Sequence, residues 1–288
     1  MSRSILPVLT ICAGLVLLWY GGAIWMNWQV VADTQARAGA TPGLMEMVRL
    51  TLNHARPLLP APHQILDELW RSTATLPVTS RRSLVHHAWV TLSAALLGFG
   101  MGTAFGVLLA VAVVHIRALE RSLMPWIVAS QAVPVLALAP IVIVALGAMG
   151  LEGLLPKAII AAYLCFFPIA IGMVKGLRAP DATARDLMRT WSATQAQVFW
   201  KLRLPASLPF LFAGLKVAMA AAVVGAIVAE LPAGAQAGLG ARLLAGSYFG
   251  QTIQIWAALV AAAILSATLV GLLGAAERLV ARRMGARA

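Results

Sequence analysis

Four long runs of this 288-residue chain carry no charged side chain, and each is long enough to cross a lipid bilayer as a helix. Spanning the hydrocarbon takes about 20 apolar residues. The runs cover residues 5–26, 88–114, 123–151 and 253–276. Two further apolar runs cover residues 158–174 and 207–229. We predict an all-α membrane protein with six transmembrane helices. The runs are continuous and rich in leucine and alanine, whereas barrel strands alternate apolar and polar residues.

Composition excludes a soluble globular domain, because 61% of the residues are hydrophobic and only 11% are charged. The formal net charge of +12 raises the alternative of nucleic-acid binding. Many of the basic residues follow the second, fourth and sixth spans: Arg117 and Arg121; Lys175, Arg178, Arg185, Arg189, Lys201 and Arg203; Arg278, Arg282, Arg283 and Arg287. Segment 27–83 also contains arginines, but loops of roughly 60 residues translocate largely regardless of charge. This distribution follows the positive-inside rule. It favours a membrane protein with both termini in the cytoplasm and no nucleic-acid partner.

The first span resembles a signal peptide in that Arg3 precedes an apolar run. The run is too long for one, and we predict an uncleaved helix. An aromatic cluster marks its outer end: Trp19, Tyr20, Trp25 and Trp28. The polar segment 27–83 is then extracytoplasmic, with a short surface helix at 64–71 after a proline-rich start. Cys12 and Cys165 both lie in apolar spans and predict neither a disulfide nor a metal site.

A basic amphipathic segment, residues 181–205, separates the fourth and fifth spans. Asp181 has the position of an N-cap, and Thr194 with Gln197 has capping-box spacing, so we expect two short helices broken near Ser192. The Leu204-Pro205 dipeptide is expected to end the second helix. One interpretation is a helix lying on anionic lipid. The other is a docking surface for a partner protein.

The spacing in this segment is similar to the EAA loop of binding-protein-dependent ABC importers. That pattern is EAA, three residues, Gly, nine residues, Ile, one residue and Leu-Pro. The matching positions here are Asp186, Leu187 and Met188 for EAA, Ser192 for Gly, Leu202 for Ile, and Leu204-Pro205. The acidic character is kept, but the two alanines and the glycine are not. By this resemblance these seven are ATPase-coupling residues, and Trp191 is expected to add apolar area to the same contact.

Further motifs resemble permeases of the nitrate/sulfonate/taurine importer family over residues 59–285. They are Leu59-Pro60-Ala61-Pro62, Gly98-Phe99, Gln131-Ala132-Val133-Pro134, Phe167-Pro168, Gly214-Leu215-Lys216, Val228-Ala229-Glu230 and Gly238-Leu239-Gly240. The chain is therefore predicted to have a type I ABC importer permease fold. We expect an N-terminal region, 1–58, with one transmembrane helix and an extracytoplasmic segment, and a permease domain, 59–288, with helices 2–6.

The resemblance implies a division of labour among several proteins. ABC ATPase subunits bind ATP, and a periplasmic binding protein delivers a small solute. Two permease chains enclose the path in the bacterial inner membrane, either two identical copies, as we expect, or two related chains. This chain has no phosphate-binding loop of the G-x-x-x-x-G-K-[ST] type, so we expect no cofactor and no enzymatic activity of its own. The implied solute is a nitrate-, sulfonate- or taurine-like anion, with a pyrimidine or another vitamin precursor as the alternative.

Polar residues inside the spans are the candidates for the transport path. Gln131 and Ser130 lie in the third span near two prolines, and Tyr163 lies in the fourth. An unpaired amide in lipid is costly, so Gln131 is expected to face the bundle interior, either as a helix–helix hydrogen bond or as a lining residue. Lys216 is expected to reach the inner surface. Glu230 is expected to anchor at the interface, to position the glycine-rich segment that follows it, or to meet the binding protein.

Two other functional classes fit less well. An ion-coupled secondary carrier would show inverted repeats and acidic residues within the spans. An intramembrane enzyme would show His, Asp or Ser grouped within the spans. The apolar runs have neither pattern.

Overall fold

In the computed structural model, which describes residues 2–232 and 235–284, the regular elements are all helical. The helices are α1 (Ser2–Arg37), α2 (Leu44–Leu52), α3 (Pro62–Trp70), α4 (Leu84–His115), α5 (Arg117–Ala129), α6 (Val135–Ala148), α7 (Leu154–Arg178), α8 (Ala182–Thr190), α9 (Gln195–Val198), α10 (Leu204–Ala229), α11 (Leu239–Tyr248) and α12 (Thr252–Arg283). Single π turns follow α3 (Arg71–Thr75) and α9 (Phe199–Arg203), and a 3-10 turn follows α5 (Ser130–Ala132). The all-α prediction is confirmed.

Within the described ranges, five helical runs are long and apolar enough to cross a membrane. They are Leu6–Arg37, Leu84–His115, Leu154–Arg178, Gln195–Ala229 and Thr252–Arg283. The sixth expected span is not one helix. Arg117–Ala132 and Val135–Ala148 meet at a bend of 100°, so the count is six only if this bent pair is one span. Pro134 lies at the break and cannot donate a backbone hydrogen bond there, which is why the expected kink becomes an interruption.

The chain forms two compact units. The first contains the residues up to His87 together with Ala241–Ala261, and the second contains Ala88–Gly240 together with the residues from Ala262 onward. The domain boundary expected after residue 58 stays a prediction.

In the first unit, α1 continues 11 residues beyond the predicted span, and the unpredicted helix α2 packs against it. Asn27 of α1 is 1% exposed, and its side chain binds the backbone of the segment that follows α2. Its Oδ1 accepts from Leu58 N at 2.7 Å and its Nδ2 donates to the Leu59 oxygen at 2.9 Å. The members of the expected aromatic cluster have different surroundings. Trp19 Nε1 donates to the Pro60 oxygen at 3.1 Å, whereas Trp25 is 81% exposed. The first unit is therefore held by side-chain bonds to the proline-rich segment.

In the second unit, α4, α7 and α10 pack closely through small residues. The glycines of α4 that are four residues apart face α7: a β-carbon on Gly98 would lie 2.5 Å from Ala161 Cβ, and one on Gly102 would lie 2.6 Å from Cys165 Cβ. Gly176 of α7 leaves similar room for α10. In lipid, where apolar burial does not drive helices together, such close backbone approach is what holds a bundle. These glycines of α4 thus serve helix packing.

Candidate functional site

The segment between α7 and α10 folds into two capped helices, as its sequence predicts. The Asp181 carboxylate accepts a hydrogen bond from Ala184 N at 2.7 Å and caps α8. Thr194 Oγ1 accepts from Gln197 N at 3.3 Å, and Gln197 Oε1 accepts from Thr194 N at 2.8 Å, which completes the capping box of α9. Each bond satisfies an N–H group that a helix start leaves unpaired. The caps of both short helices are therefore set by residues within the loop.

Ser192 closes α8 in the left-handed conformation, with φ of 52°, and among the described residues no other non-glycine residue has a positive φ. Ser192 N donates to the Arg189 oxygen at 2.8 Å and Ala193 N donates to the Met188 oxygen at 3.0 Å. This is the Schellman pattern, in which the left-handed residue is usually glycine. The position that matches glycine in the EAA pattern is thus one where glycine is favoured on conformational grounds, and serine here costs on the order of 1 kcal/mol.

The first loop helix presents apolar and charged side chains together to the outside. Leu187 is 50% exposed and Trp191 is 71% exposed, while Met188 is half-buried. Asp186 is exposed and its Oδ1 lies 3.3 Å from Arg189 Nη1. Exposed large apolar residues beside charges are typical of a surface that another molecule covers.

The second half of the loop differs from expectation, because Leu204-Pro205 does not end a helix. The run Gln195–Ala229 is continuous and passes through the π turn Phe199–Arg203 into α10. Pro205 lacks a backbone N–H, and a locally wider turn accommodates that loss without a break. Leu202, Leu204 and Pro205 are half-buried.

Leu204 packs with the core formed by the ends of α4 and α7. The buried members of that core include Val113, Met173 and Leu177, and Phe199 packs against it from the π turn. The eight loop residues singled out from the sequence therefore fall in two groups. Those of α8 and its C-terminal turn lie on the surface, and those around the π turn join the loop to the bundle.

The path candidates meet at the break between α5 and α6. The Tyr163 hydroxyl donates to the Ser130 backbone oxygen, and Ser130 Oγ donates to the Ile127 oxygen at 2.7 Å. Gln131 is exposed, with its Nε2 3.5 Å from Ser130 Oγ. The expectation that Gln131 faces the interior of the bundle formed by this chain is not met. Its amide is exposed at the break between α5 and α6.

A second polar group lies at the end of α10, where Glu230 is fully buried. Thr91 Oγ1 of α4 lies 3.0 and 2.9 Å from the two carboxylate oxygens, and Lys157 Nζ of α7 lies 3.9 Å from Oε1. Anchoring at an interface, one expectation for Glu230, is therefore wrong. Contact with the glycine-rich segment, the second expectation, is observed, because Gly240 N donates to Oε2 at 2.9 Å. Sequence reasoning missed Thr91 and Lys157, since a threonine in an apolar run and a lysine at its border are common.

Lys157 also lies on the wall of a cavity of about 740 Å³. The wall includes Ile143, Leu151, Glu152, Pro156, Lys157 and Gln236. This volume is in the range of small-molecule sites, and the wall combines apolar surface with a few charged and amide groups.

Lys216, expected to reach the inner surface, has a charged partner. It forms an ion pair with Glu277 of α12, and both side chains are about one-third exposed. Sequence reasoning missed this partner. The sequence does indicate this pairing, because Lys216 and Glu277 are opposite charges in otherwise apolar helices. Each charge is costly in lipid unless it is paired.

The sequence profile of the family described as "binding-protein-dependent transport system inner membrane component" matches residues 102–286. The chain belongs to this family, and is an ABC transporter permease subunit of the nitrate/sulfonate/taurine type and a multi-pass inner membrane protein. The family implies ATPase and substrate-binding-protein partners. Its relatives are permease subunits and not enzymes.

Three relatives show the range of the similarity. The chain is 35% identical over 225 residues to a riboflavin transport system permease protein of Chloroflexus aurantiacus, covering 78% of this chain and 80% of the relative. It is 33% identical to a formylaminopyrimidine transport permease protein of Halalkalibacterium halodurans, covering 64% and 68%. It is 26% identical to the taurine transport system permease protein of Escherichia coli, covering 59% and 60%.

Proposed function

We propose that residues 181–205 are the surface through which this permease receives force from its ATPase partner. The observation that carries the proposal is the unbroken helical run Gln195–Ala229. One end of the run belongs to the exposed loop and the other crosses the candidate membrane region. Because a helix is stiff over this length, displacement of the loop would move the span directly, in the manner of a rigid-body switch.

In this proposal, α8 supplies the contact residues. Leu187, Met188 and Trp191 offer apolar area, and Asp186 adds a negative charge that a cation on the partner can meet. Ser192 sets the angle between α8 and α9, while Leu202, Leu204 and Pro205 connect the contact to the bundle. The competing interpretation, a helix lying on anionic lipid, uses the same side chains but no protein partner.

The docking test uses the purified permease and its genomically adjacent ATPase in nanodiscs. Asp186→Lys reverses the charge, and Met188→Asp places a charge in the apolar contact. We expect either change to weaken ATPase association, or to leave association intact and uncouple ATP hydrolysis from transport, with insertion unchanged because the loop lies outside the spans. Normal association and normal coupling in both variants would return the loop to the lipid-surface interpretation.

We also propose the orientation with both termini and the loop 181–205 in the cytoplasm, and the segment after α1 outside. The grouping of basic residues supports it. In a variant without Cys12 and Cys165, Thr41→Cys should react with an impermeant maleimide added to spheroplasts, and Thr194→Cys only after the membrane is opened. Both positions are exposed, so the two sites are matched for access within the chain. The reverse pattern would refute the orientation and the docking assignment together.

The path is proposed to lie between two identical copies of this chain, each with the permease domain 59–288. Ser130, Gln131 and Tyr163 are assigned to it, and the exposure of Gln131 in a single chain supports an opening toward a second copy. Crosslinking of Gln131→Cys across two copies in the assembled transporter tests this assignment. A transporter that contains one copy only, or two different permeases, would contradict it.

For the solute, a vitamin-type heteroaromatic molecule has the better support. The permease relatives named for riboflavin and formylaminopyrimidine are 35% and 33% identical, compared with 26% for the one named for taurine. A sulfonate- or taurine-like anion is the second candidate, supported by the shared family. Thermal-shift screening of the partner binding protein against riboflavin, formylaminopyrimidine and taurine distinguishes the two classes.

A further inference from the structure

A short segment lies at the C-terminal end of α10, the end farther from the loop 181–205. Side chains from three helices bind its backbone. We call residues 237–240 the distal turn; its last two residues, Leu239 and Gly240, begin α11. Three of its backbone groups bond to side chains: the Ala237 oxygen accepts from Lys157 Nζ (3.2 Å), Leu239 N donates to Thr91 Oγ1 (2.9 Å) and Gly240 N donates to Glu230 Oε2 (2.9 Å). The side chains come from α7, α4 and α10, respectively. The position of the distal turn therefore depends on all three helices at once.

The backbone of the distal turn packs directly on the Glu230 carboxylate. Gly238 has φ of 125°, and a β-carbon there would overlap the carboxyl group. A β-carbon on Gly240 would overlap the Ile227 backbone oxygen. Leu239, between the two glycines, is fully buried. The two glycines are thus required by close approach, and the turn is held in a single geometry.

A buried carboxylate is a costly way to hold two segments together. Replacing a buried ionic group with an apolar side chain of similar volume is often neutral or stabilising, because the ion loses its hydration. An apolar side chain cannot, however, fix the backbone N–H of Gly240 or orient the Thr91 hydroxyl. The chemistry of this cluster is therefore suited to positioning the turn rather than to adding stability.

We propose that Glu230 is a positioning residue for transport, which acts through Thr91 and Lys157 to make the distal turn follow α4, α7 and α10 through the transport cycle. Ala237 of the distal turn and Lys157 form part of the wall of the 740 Å³ cavity, so in this proposal the wall changes when the helices move. The inference rests on the proposed function, in which the run Gln195–Ala229, ending next to Glu230, transmits movement of the loop.

The test measures whether the turn senses the state of the ATPase. Gln236, which is exposed on the cavity wall, is changed to cysteine in a variant without Cys12 and Cys165. The permease–ATPase complex in nanodiscs is labelled with an impermeant maleimide, first without nucleotide and then after trapping with ATP and vanadate. We expect the labelling rate of Gln236→Cys to change by about fivefold or more between the two states, because trapping selects one conformation.

Adding Glu230→Ala should reduce that change to less than about twofold, since the turn no longer follows the helices. Thr91→Val should do the same and removes only one hydroxyl, so it tests the inference even if Glu230→Ala does not assemble. Glu230→Gln keeps a side-chain oxygen for Gly240 N and should restore the state dependence. Glu152→Gln, an exposed carboxylate on the same cavity wall, is the matched control and should behave as the parent protein.

The outcomes separate the inference from the function on which it rests. If the parent complex traps nucleotide but Gln236→Cys labels equally in both states, or if Glu230→Ala and Thr91→Val still switch, Glu230 has no positioning role. If the parent complex neither binds its ATPase nor traps nucleotide, the proposed docking function fails, and the inference fails with it.

Discussion

Trp191 offers the sharpest quantitative test of the docking surface. It is 71% exposed at the C-terminal end of α8, beside the strained Ser192 turn. A tryptophan buries about 200 Å² when fully covered. Covering the exposed fraction would remove about 140 Å² from water, worth at most about 3.5 kcal/mol at roughly 25 cal/mol per Å². This ceiling corresponds to about a 300-fold change in the dissociation constant.

For Trp191→Ala we expect the affinity for the ATPase to fall by between about tenfold and this ceiling. The ceiling is not reached because ordering of side chains and imperfect pairing of polar groups reduce the affinity that buried area yields. The assay is equilibrium binding of the labelled ATPase to the permease in nanodiscs. The matched control is Trp70→Ala, because Trp70 is 69% exposed but lies in α3, on the side that the proposed orientation places outside. Trp70→Ala should leave the dissociation constant unchanged.

Two results would refute the reasoning. An affinity of Trp191→Ala within about twofold of the parent protein would mean that the indole is not covered by the ATPase. An equal loss for Trp191→Ala and Trp70→Ala would mean that the effect comes from general destabilisation. If Trp191 instead lies in the lipid interface, its fluorescence should shift on addition of anionic lipid and not on addition of the ATPase.

Three further predictions concern the framework of the site. Ser192→Gly should slow hydrogen–deuterium exchange in the loop, since relief of the left-handed strain stabilises it by about 0.5–1 kcal/mol, whereas Ser192→Ala should not. Gly102→Ala should lower the free energy of unfolding of the solubilised protein by about 1–3 kcal/mol, because the added β-carbon would lie 2.6 Å from a side-chain carbon of α7. Gly100→Ala, with no atom within 4 Å of its β-carbon, should have no such effect, and equal losses would contradict the packing argument. Lys216→Met should lower the free energy of unfolding by about 1–2 kcal/mol. The double exchange Lys216→Glu with Glu277→Lys should recover part of that loss in the same unfolding assay. If nothing is recovered, the ion pair does not contribute to stability.

Much of the loop 181–205 was predictable because its structure is set locally. Asp181, Thr194 and Gln197 cap helices through bonds that span three residues, and such spacing can be read in a sequence. The EAA-like spacing also located the left-handed residue, Ser192, although serine gives no conformational signal of its own. What the spacing did not reveal is that α9 and α10 are continuous. The Leu204-Pro205 pair suggested a helix end, and packing of Leu204 against α4 and α7 favours continuation.

The sequence by itself determined the all-α membrane class, because long charge-free runs can form few stable structures other than helices in lipid. Its motifs and their spacing determined the family. Tertiary structure alone decided which polar residues meet. Thr91, Lys157 and Glu230 are separated by at least 66 residues along the chain, and their meeting depends on how α4, α7 and α10 pack. The same holds for Lys216 with Glu277 and for the exposure of Gln131 at the bend. Hydropathy and capping act over a few residues, whereas contacts between distant helices follow from the close packing of small residues across the whole bundle.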